Sequence, residues 1–246
     1  MLFAGLVALG VVLAHAVVLR RAGVLRLRTA AVNQMVGAAL AAGFLTAYLV
    51  KFLYNPAGLA GNPAALLANS TGISSFGGIV GGLLGALAAL RGARPSPLAY
   101  LDALAFAFPF GWILGRTGCV LVKDHPGLPA SGPFARDFAG ILRYDLALIE
   151  LLAFALPITL LFSWLARRPR RSGFFLSTFL ITYGPFRLLL DALHDQPPRY
   201  GPLTVDQWFG LLLTAAGLAF FRSLPPAAQT PPAAATTAPE RLSARH

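Results

Sequence analysis

Several apolar runs in this chain reach the ~20 residues that an α-helix needs to cross a bilayer, and no other feature constrains the fold as strongly. In hydrocarbon every backbone N–H and C=O must find its partner within the structure, so such runs fold as helices. The rest of the composition agrees, because 57% of the residues are hydrophobic and only 12% are charged, where a soluble domain carries about 25% charged. The reading is an all-α, polytopic membrane protein. A formal charge of +11 fits arginines gathered in connecting loops better than a nucleic-acid surface, and no nucleic-acid partner is expected. The single cysteine excludes an intramolecular disulfide framework and a multi-cysteine metal site.

Seven transmembrane helices can be laid out, over about residues 2–19, 31–54, 76–91, 98–118, 145–166, 173–193 and 204–221. Alternate connections carry 13 basic residues, among them Arg20, Arg21, Arg26, Arg28, Arg91, Arg94, Arg167, Arg168, Arg170 and Arg171. The opposite connections hold five: Arg116, Lys123, Arg136, Arg143 and Arg199. That bias places the amino end outside and the carboxyl end in the cytoplasm. Ala14-His15-Ala16 resembles a signal-peptidase site, but the positive charges follow the apolar stretch rather than precede it, so the first helix is expected to be retained. Residues 1–222 then form the seven-helix domain. Residues 223–246, rich in Pro, Ala and Thr, are expected to be a disordered cytoplasmic tail.

This orientation brings three polar segments to the outer side. One is the start of the third span, Ser74-Ser75-Phe76-Gly77-Gly78. Another is Gly115 to Gly127, reading GRTGCVLVKDHPG, which holds Arg116, Cys119, Asp124 and His125 in thirteen residues. The last is a stripe in the sixth span, Tyr183, Arg187, Asp191 and His194. At 3.6 residues per turn that stripe lies within about 80° of arc. An arginine inside a span costs ~2.5–3.5 kcal/mol on insertion scales, so Arg187 needs a partner or a wet cavity. Asp191, one turn on, is the expected partner. A purely structural Arg187–Asp191 pair fits the spacing equally well, and Arg116 at a helix end can simply snorkel to the interface. Read functionally, the two guanidiniums form a planar fork for one lipid phosphate. The glycines of the third span admit either close helix packing or a pocket wall.

In these motifs the chain resembles the prolipoprotein diacylglyceryl transferase family of bacterial inner membranes. The family signature runs Gly-Arg-x-Gly-Asn, a short apolar stretch, an acid and a closing glycine. Gly115, Arg116, Gly118, Asp124 and Gly127 match it, with Cys119 in place of the asparagine. Tyr183, Gly184, Arg187, Asp191 and His194 match a second pattern, with Asp for Glu and His for Arg. Ser75, Gly77 and Gly78 match a third, in which Phe76 replaces a histidine. Thr204 and Gln207 resemble the start of the family's last span, and Glu150 either matches a family glutamate or pairs helices.

The resemblance implies transfer of a diacylglyceryl group from phosphatidylglycerol to the thiol of a lipobox cysteine in a prolipoprotein signal peptide. Glycerol-1-phosphate leaves, and no cofactor or metal takes part. The implied catalytic residues are Arg187, Asp191 and Asp124, with His125 as a substitute base on the ground of adjacency alone. Arg116, Gly118, Cys119, Gly127, Gly77, Gly78, Tyr183 and His194 are then expected to bind substrate or line its pocket. Two other readings stay open because of Phe76: the same fold acting on another lipid or acceptor, and a non-catalytic lipid-binding membrane protein.

Overall fold

The computed structural model describes residues 1–62, 74–94, 96–195 and 197–224. The tail expected over 223–246 falls, beyond Leu224, outside them. Among the described residues there are eight helices: α1 (Leu2–Val24), α2 (Thr29–Tyr54), α3 (Pro56–Gly61), α4 (Ser75–Ala89), α5 (Pro97–Val122), α6 (Leu146–Leu165), α7 (Phe174–Asp191) and α8 (Val205–Ser223). All but α3 coincide with an expected span. By length and composition α1, α2, α5 and α6 can cross a membrane, while α4 is a shorter apolar helix. The molecule is thus a mostly helical, polytopic membrane protein.

Lipid tails are as apolar as leucine, so helices in a bilayer associate by close packing rather than by hydrophobic burial. Glycines supply that closeness at three seams. On α1, a Cβ at Gly10 would stand 2.6 Å from the carbonyl oxygen of Gly111 on α5. On α4, Gly77 would meet the Thr46 carbonyl of α2 at 2.6 Å. On α7, Gly184 would meet the Gly210 carbonyl of α8 at 2.5 Å. Successive contacts along each seam run in opposite sequence directions, so the three pairs are antiparallel.

The arginine-rich loops gather at one end of the bundle. Tyr100 donates to the Arg94 carbonyl at 2.8 Å and accepts from the Arg28 amide at 3.1 Å, joining two of them. Arg171 donates to the Leu224 carbonyl at 3.4 Å. Gly173, which starts α7 in the left-handed region (φ 90), offers the helix no capping side chain. Asp102 of α5 does so instead, accepting from the amides of Phe175 (2.7 Å) and Leu176 (3.1 Å) and satisfying donors that a helix start leaves open.

At the opposite end the fold departs from all-α. Residues 126–145 form a three-stranded antiparallel sheet in the order β1 (Pro126–Pro129), β3 (Ile141–Asp145), β2 (Ala135–Phe138). Ala139 and Gly140, both with positive φ (54 and 86), close the β2–β3 turn in the primed geometry that suits twisted strands. A second hairpin pairs β4 (Arg199–Tyr200) with β5 (Leu203–Thr204). These strands have two to five residues and mixed burial, so no alternation announced them in the sequence. In α6, residues Leu151–Ala155 widen into a π-turn directly after Glu150. Pro157 lies two residues beyond; its ring crowds the carbonyl four residues back, and a widened turn relieves that contact.

A side chain at a glycine seam should separate its helices. Gly10→Val is expected to lower stability in detergent micelles by ~1–3 kcal/mol through overpacking. Gly5→Val on the same helix, where a Cβ meets nothing within 4 Å, should leave the thermal midpoint nearly unchanged.

Candidate active site

The polar residues converge on one buried carboxylate. Asp145 ends β3 and caps α6 by accepting from the Leu148 amide at 3.0 Å, which sets Glu150 in the first turns of that helix. Glu150 is 1% exposed, and its Oε2 lies 3.0 Å from Arg116 Nη2 and 3.5 Å from Arg187 Nη1. Tyr183 Oη donates to Glu150 Oε1 at 3.4 Å. Arg116, near the end of α5, also donates to Ser75 Oγ at 2.8 Å. Arg187 has a closer partner in Asp206 of α8, Nη2 to Oδ2 at 2.5 Å, and Asp206 accepts the Tyr54 hydroxyl through its other oxygen. Four helices therefore contribute one ionised side chain each. Charges this deep persist only when paired and hydrogen-bonded.

Asp124 and His125 sit at the rim, just beyond α5, where Lys123 turns the chain through the left-handed region (φ 54). Asp124 Oδ1 contacts His125 Nδ1, and His125 Nε2 stands 3.3 Å from Arg116 Nη1. A guanidinium only donates, so Nε2 is the acceptor and Nδ1 carries the proton given to Asp124. Burial pushes the Asp124 carboxyl up, but the hydrogen bond from His125, with smaller contributions around it, outweighs that and holds the group below its ordinary value. Cys119, Asp124 and His125 offer ligand atoms within 4.8 Å of one another. Both ring nitrogens of His125 are already engaged, Nδ1 with Asp124 and Nε2 with Arg116.

Several expected roles change. Asp191 is not the partner of Arg187. It accepts from Thr204 Oγ1 at 2.5 Å and so ties the end of α7 to the capping box that opens α8. Arg187 turns instead to Glu150 and Asp206, which lie on other helices and were invisible to spacing within α7. His194 Nδ1 is 3.4 Å from Asp191 but is not aligned for a hydrogen bond, and the atom is buried with no hydrogen-bond partner among the described residues. Burial, then the charge of Arg187, press its pKa down to about 4.

The glycines expected at the pocket wall lie in packing seams. Gly77 faces α2, as above. Gly78 has only Ala47 nearby, at 3.8 Å, and Gly118 abuts Phe3 of α1 at 3.0 Å. At Gly127 a Cβ would stand 2.7 Å from the Leu193 carbonyl, where the backbone bridges to His194. Cys119 and Tyr183 do border the cluster. Phe76 is fully buried; its ring stacks on Phe209 at 5.6 Å and lies 5.5 Å from the Arg187 guanidinium.

Asp206, Tyr54 and the direct contact of Ser75 with Arg116 join the site without a motif in the sequence to mark them. Asp206 carried a readable signal, because an acid in the first turn of an apolar helix asks for a buried cation. Beside it an apolar groove of about 390 Å³ opens between α2 and α8, lined by Leu53, Tyr200, Val205, Trp208, Phe209 and Leu212.

The family model described as prolipoprotein diacylglyceryl transferase matches residues 1–222. Over 184 residues the chain is 29% identical to the phosphatidylglycerol–prolipoprotein diacylglyceryl transferase of Bordetella bronchiseptica, covering 70% of each protein. Proteins of the same name from Methylocella silvestris and Trichormus variabilis are 31% and 32% identical, covering 68% and 65% of this chain and 65% and 64% of theirs.

Removing the shared carboxylate strips Arg116 of its buried counter-charge and leaves Arg187 with Asp206 alone. Glu150→Ala should lose ~3–5 kcal/mol in unfolding measurements in micelles, against the ~1 kcal/mol or less expected of a solvent-exposed pair. His194 gives a pH dependence. Its folded pKa, about 4, lies below the ordinary 6.5, so the unfolded chain binds the extra proton first. Stability should be level above pH 6.5 and fall as pH drops from 6.5 towards 4, and His194→Gln should remove that part of the decline.

Proposed function

The chain belongs to the prolipoprotein diacylglyceryl transferase family, and we propose that it moves a diacylglyceryl group from phosphatidylglycerol to the thiol of a lipobox cysteine in a prolipoprotein signal peptide. The observation that carries this reading is the meeting of Arg116 and Arg187 on Glu150. Two guanidiniums held a few ångströms apart in a buried site match the oxygens of one phosphodiester. The groove beside Asp206 suits the acyl chains of the same lipid.

In the reaction the lipobox sulfur attacks the diacylglycerol carbon that bears the phosphate ester. One carbon–sulfur bond forms, one carbon–oxygen bond breaks, and glycerol-1-phosphate departs. Arg116 and Arg187 steady the phosphate as negative charge grows on the leaving oxygen. The thiolate is the nucleophile, so a base must take the thiol proton. Phe76 cannot, and His125 Nε2 is placed to do so. Phosphate binding draws Arg116 Nη1 away and frees that lone pair, while Asp124 holds the other nitrogen protonated. Cys119 and Tyr183 border the substrate, and Asp191 and His194 support it through the join between α7 and α8.

The membrane setting follows the same reading. Seven spans over residues 1–222, the amino end outside and the carboxyl end cytoplasmic, place the site at the outer leaflet of a bacterial inner membrane. The antiparallel seams and the gathering of arginine-rich loops at one end support that arrangement.

Transferase activity of the protein in phosphatidylglycerol vesicles, with a lipobox peptide as acceptor, tests the proposal. Arg116→Ala and Arg187→Ala should each lower turnover by about 10²–10³, and His125→Ala by about 10²–10⁴. A folded wild-type protein that binds these vesicles without turnover would leave lipid binding as the function.

A further inference from the structure

Arg187 is engaged in an uneven way. Its Nη2 donates to Asp206 and its Nη1 reaches Glu150 at the long distance of 3.5 Å, yet its Nε is buried with no hydrogen-bond partner among the described residues. A buried donor left open is costly, so this guanidinium has capacity for an acceptor that the protein does not itself supply. The charges nearby point the same way. Two guanidiniums face two carboxylates, Glu150 and Asp206, so the cluster is neutral before any substrate arrives. A phosphodiester entering such a site meets two carboxylates in a medium where charges interact strongly.

We propose that Asp206 is an internal stand-in for the lipid phosphate: it occupies Arg187 in the resting protein, must yield that guanidinium when the headgroup binds, and so sets how strongly the site selects an anionic lipid. The proposal rests on the reading of Arg187 as a phosphate ligand. Glu150 is not suited to this part, because it contacts both guanidiniums and releasing it would break both pairs at once. Asp206 can, since it contacts only one of the two guanidiniums.

The structure also provides for the displaced carboxylate. Asp206 Oδ1 accepts the Tyr54 hydroxyl, and Tyr54 Oη lies 3.2 Å from Ser74 Oγ, the residue that caps α4. When phosphate takes Arg187, Asp206 keeps its hydrogen bond to Tyr54 and is not stranded. Tyr54 supports the carboxylate in both states and matters more once Arg187 has left it, so Tyr54 eases binding whereas the charge of Asp206 opposes it. Asp206 acts through Arg187 and is a specificity-determining residue rather than a catalytic one.

This arrangement separates two variants by sign. Asp206→Asn keeps the shape and removes the charge, so the KM for phosphatidylglycerol and the inhibition constant of free glycerol-1-phosphate should both fall by about tenfold or more. Discrimination against zwitterionic phosphatidylethanolamine in mixed vesicles should rise. Tyr54→Phe withdraws the second support of the carboxylate, so both constants should rise. If Asp206 merely orients Arg187, the two variants weaken binding together and the proposal is overturned; unchanged constants in Asp206→Asn overturn it as well. Arg187→Ala, measured alongside, keeps the two readings apart. Loss of glycerol-1-phosphate inhibition there, without the gain in Asp206→Asn, removes this inference alone, whereas retained inhibition removes the phosphate reading beneath it. If Asp206→Asn does not fold, Tyr54→Phe decides by the direction of its change.

Discussion

A single carboxylate between two guanidiniums holds the sheet-bearing end of this bundle together. Arg116 and Arg187 stand 71 positions apart in sequence and carry like charge; brought together alone in a low-dielectric site they would repel. Glu150 turns that repulsion into attraction by standing between them. Burial makes the arrangement strict, because each ionised group has exchanged water for its neighbours. The position of Glu150 is therefore the one that other elements serve. Asp145 caps the helix that carries it, and the widened turn that accommodates Pro157 begins one residue after it.

The two ends of the molecule solve different problems. At the arginine-rich end, and along the three glycine seams, the task is close approach, met with small residues and with Asp102 capping a neighbouring helix. At the other end the task is to fix loops against helix ends. Arg136 donates to the Val120 carbonyl near the end of α5 and to Asp145 at the start of α6, at 2.7 and 3.0 Å. Arg143 reaches the Gly127 carbonyl at 3.0 Å and Asp195 at 2.7 Å, fastening the sheet to the segment after α7. The short sheet thus acts as a brace across three helix ends, which limits how far Arg116 and Arg187 can drift apart.

How much of this was readable in the chain depends on the range of the signal. Helices announce themselves locally, so each expected span has a matching helix, and the motifs that resemble the family marked Arg116, Arg187 and Asp124 without coordinates. Pairing choices are not local. Spacing within α7 offered Asp191 to Arg187, but the side chain is claimed by Thr204, and the acids that do serve Arg187 come from α6 and α8. The glycines show the same limit. Gly77 was consistent with a pocket wall or a seam, and only the facing helix decides between them. The sheet was illegible for a simpler reason: strands this short carry no period.

Phe76 and His125 belong to one argument. Where the family pattern has a histidine, Phe76 lies wholly buried between Arg187, Tyr183 and Phe209. An aromatic face there stabilises the guanidinium through its quadrupole but removes any proton acceptor from the inner wall. The imidazole that does touch the cluster stands on the other side of Arg116, at a partly exposed rim, with Asp124 fixing its tautomer. The imidazole and the buried carboxylate thus engage different nitrogens of one guanidinium. Arg116, in contact with both His125 and Glu150, is the group through which the two remain coupled.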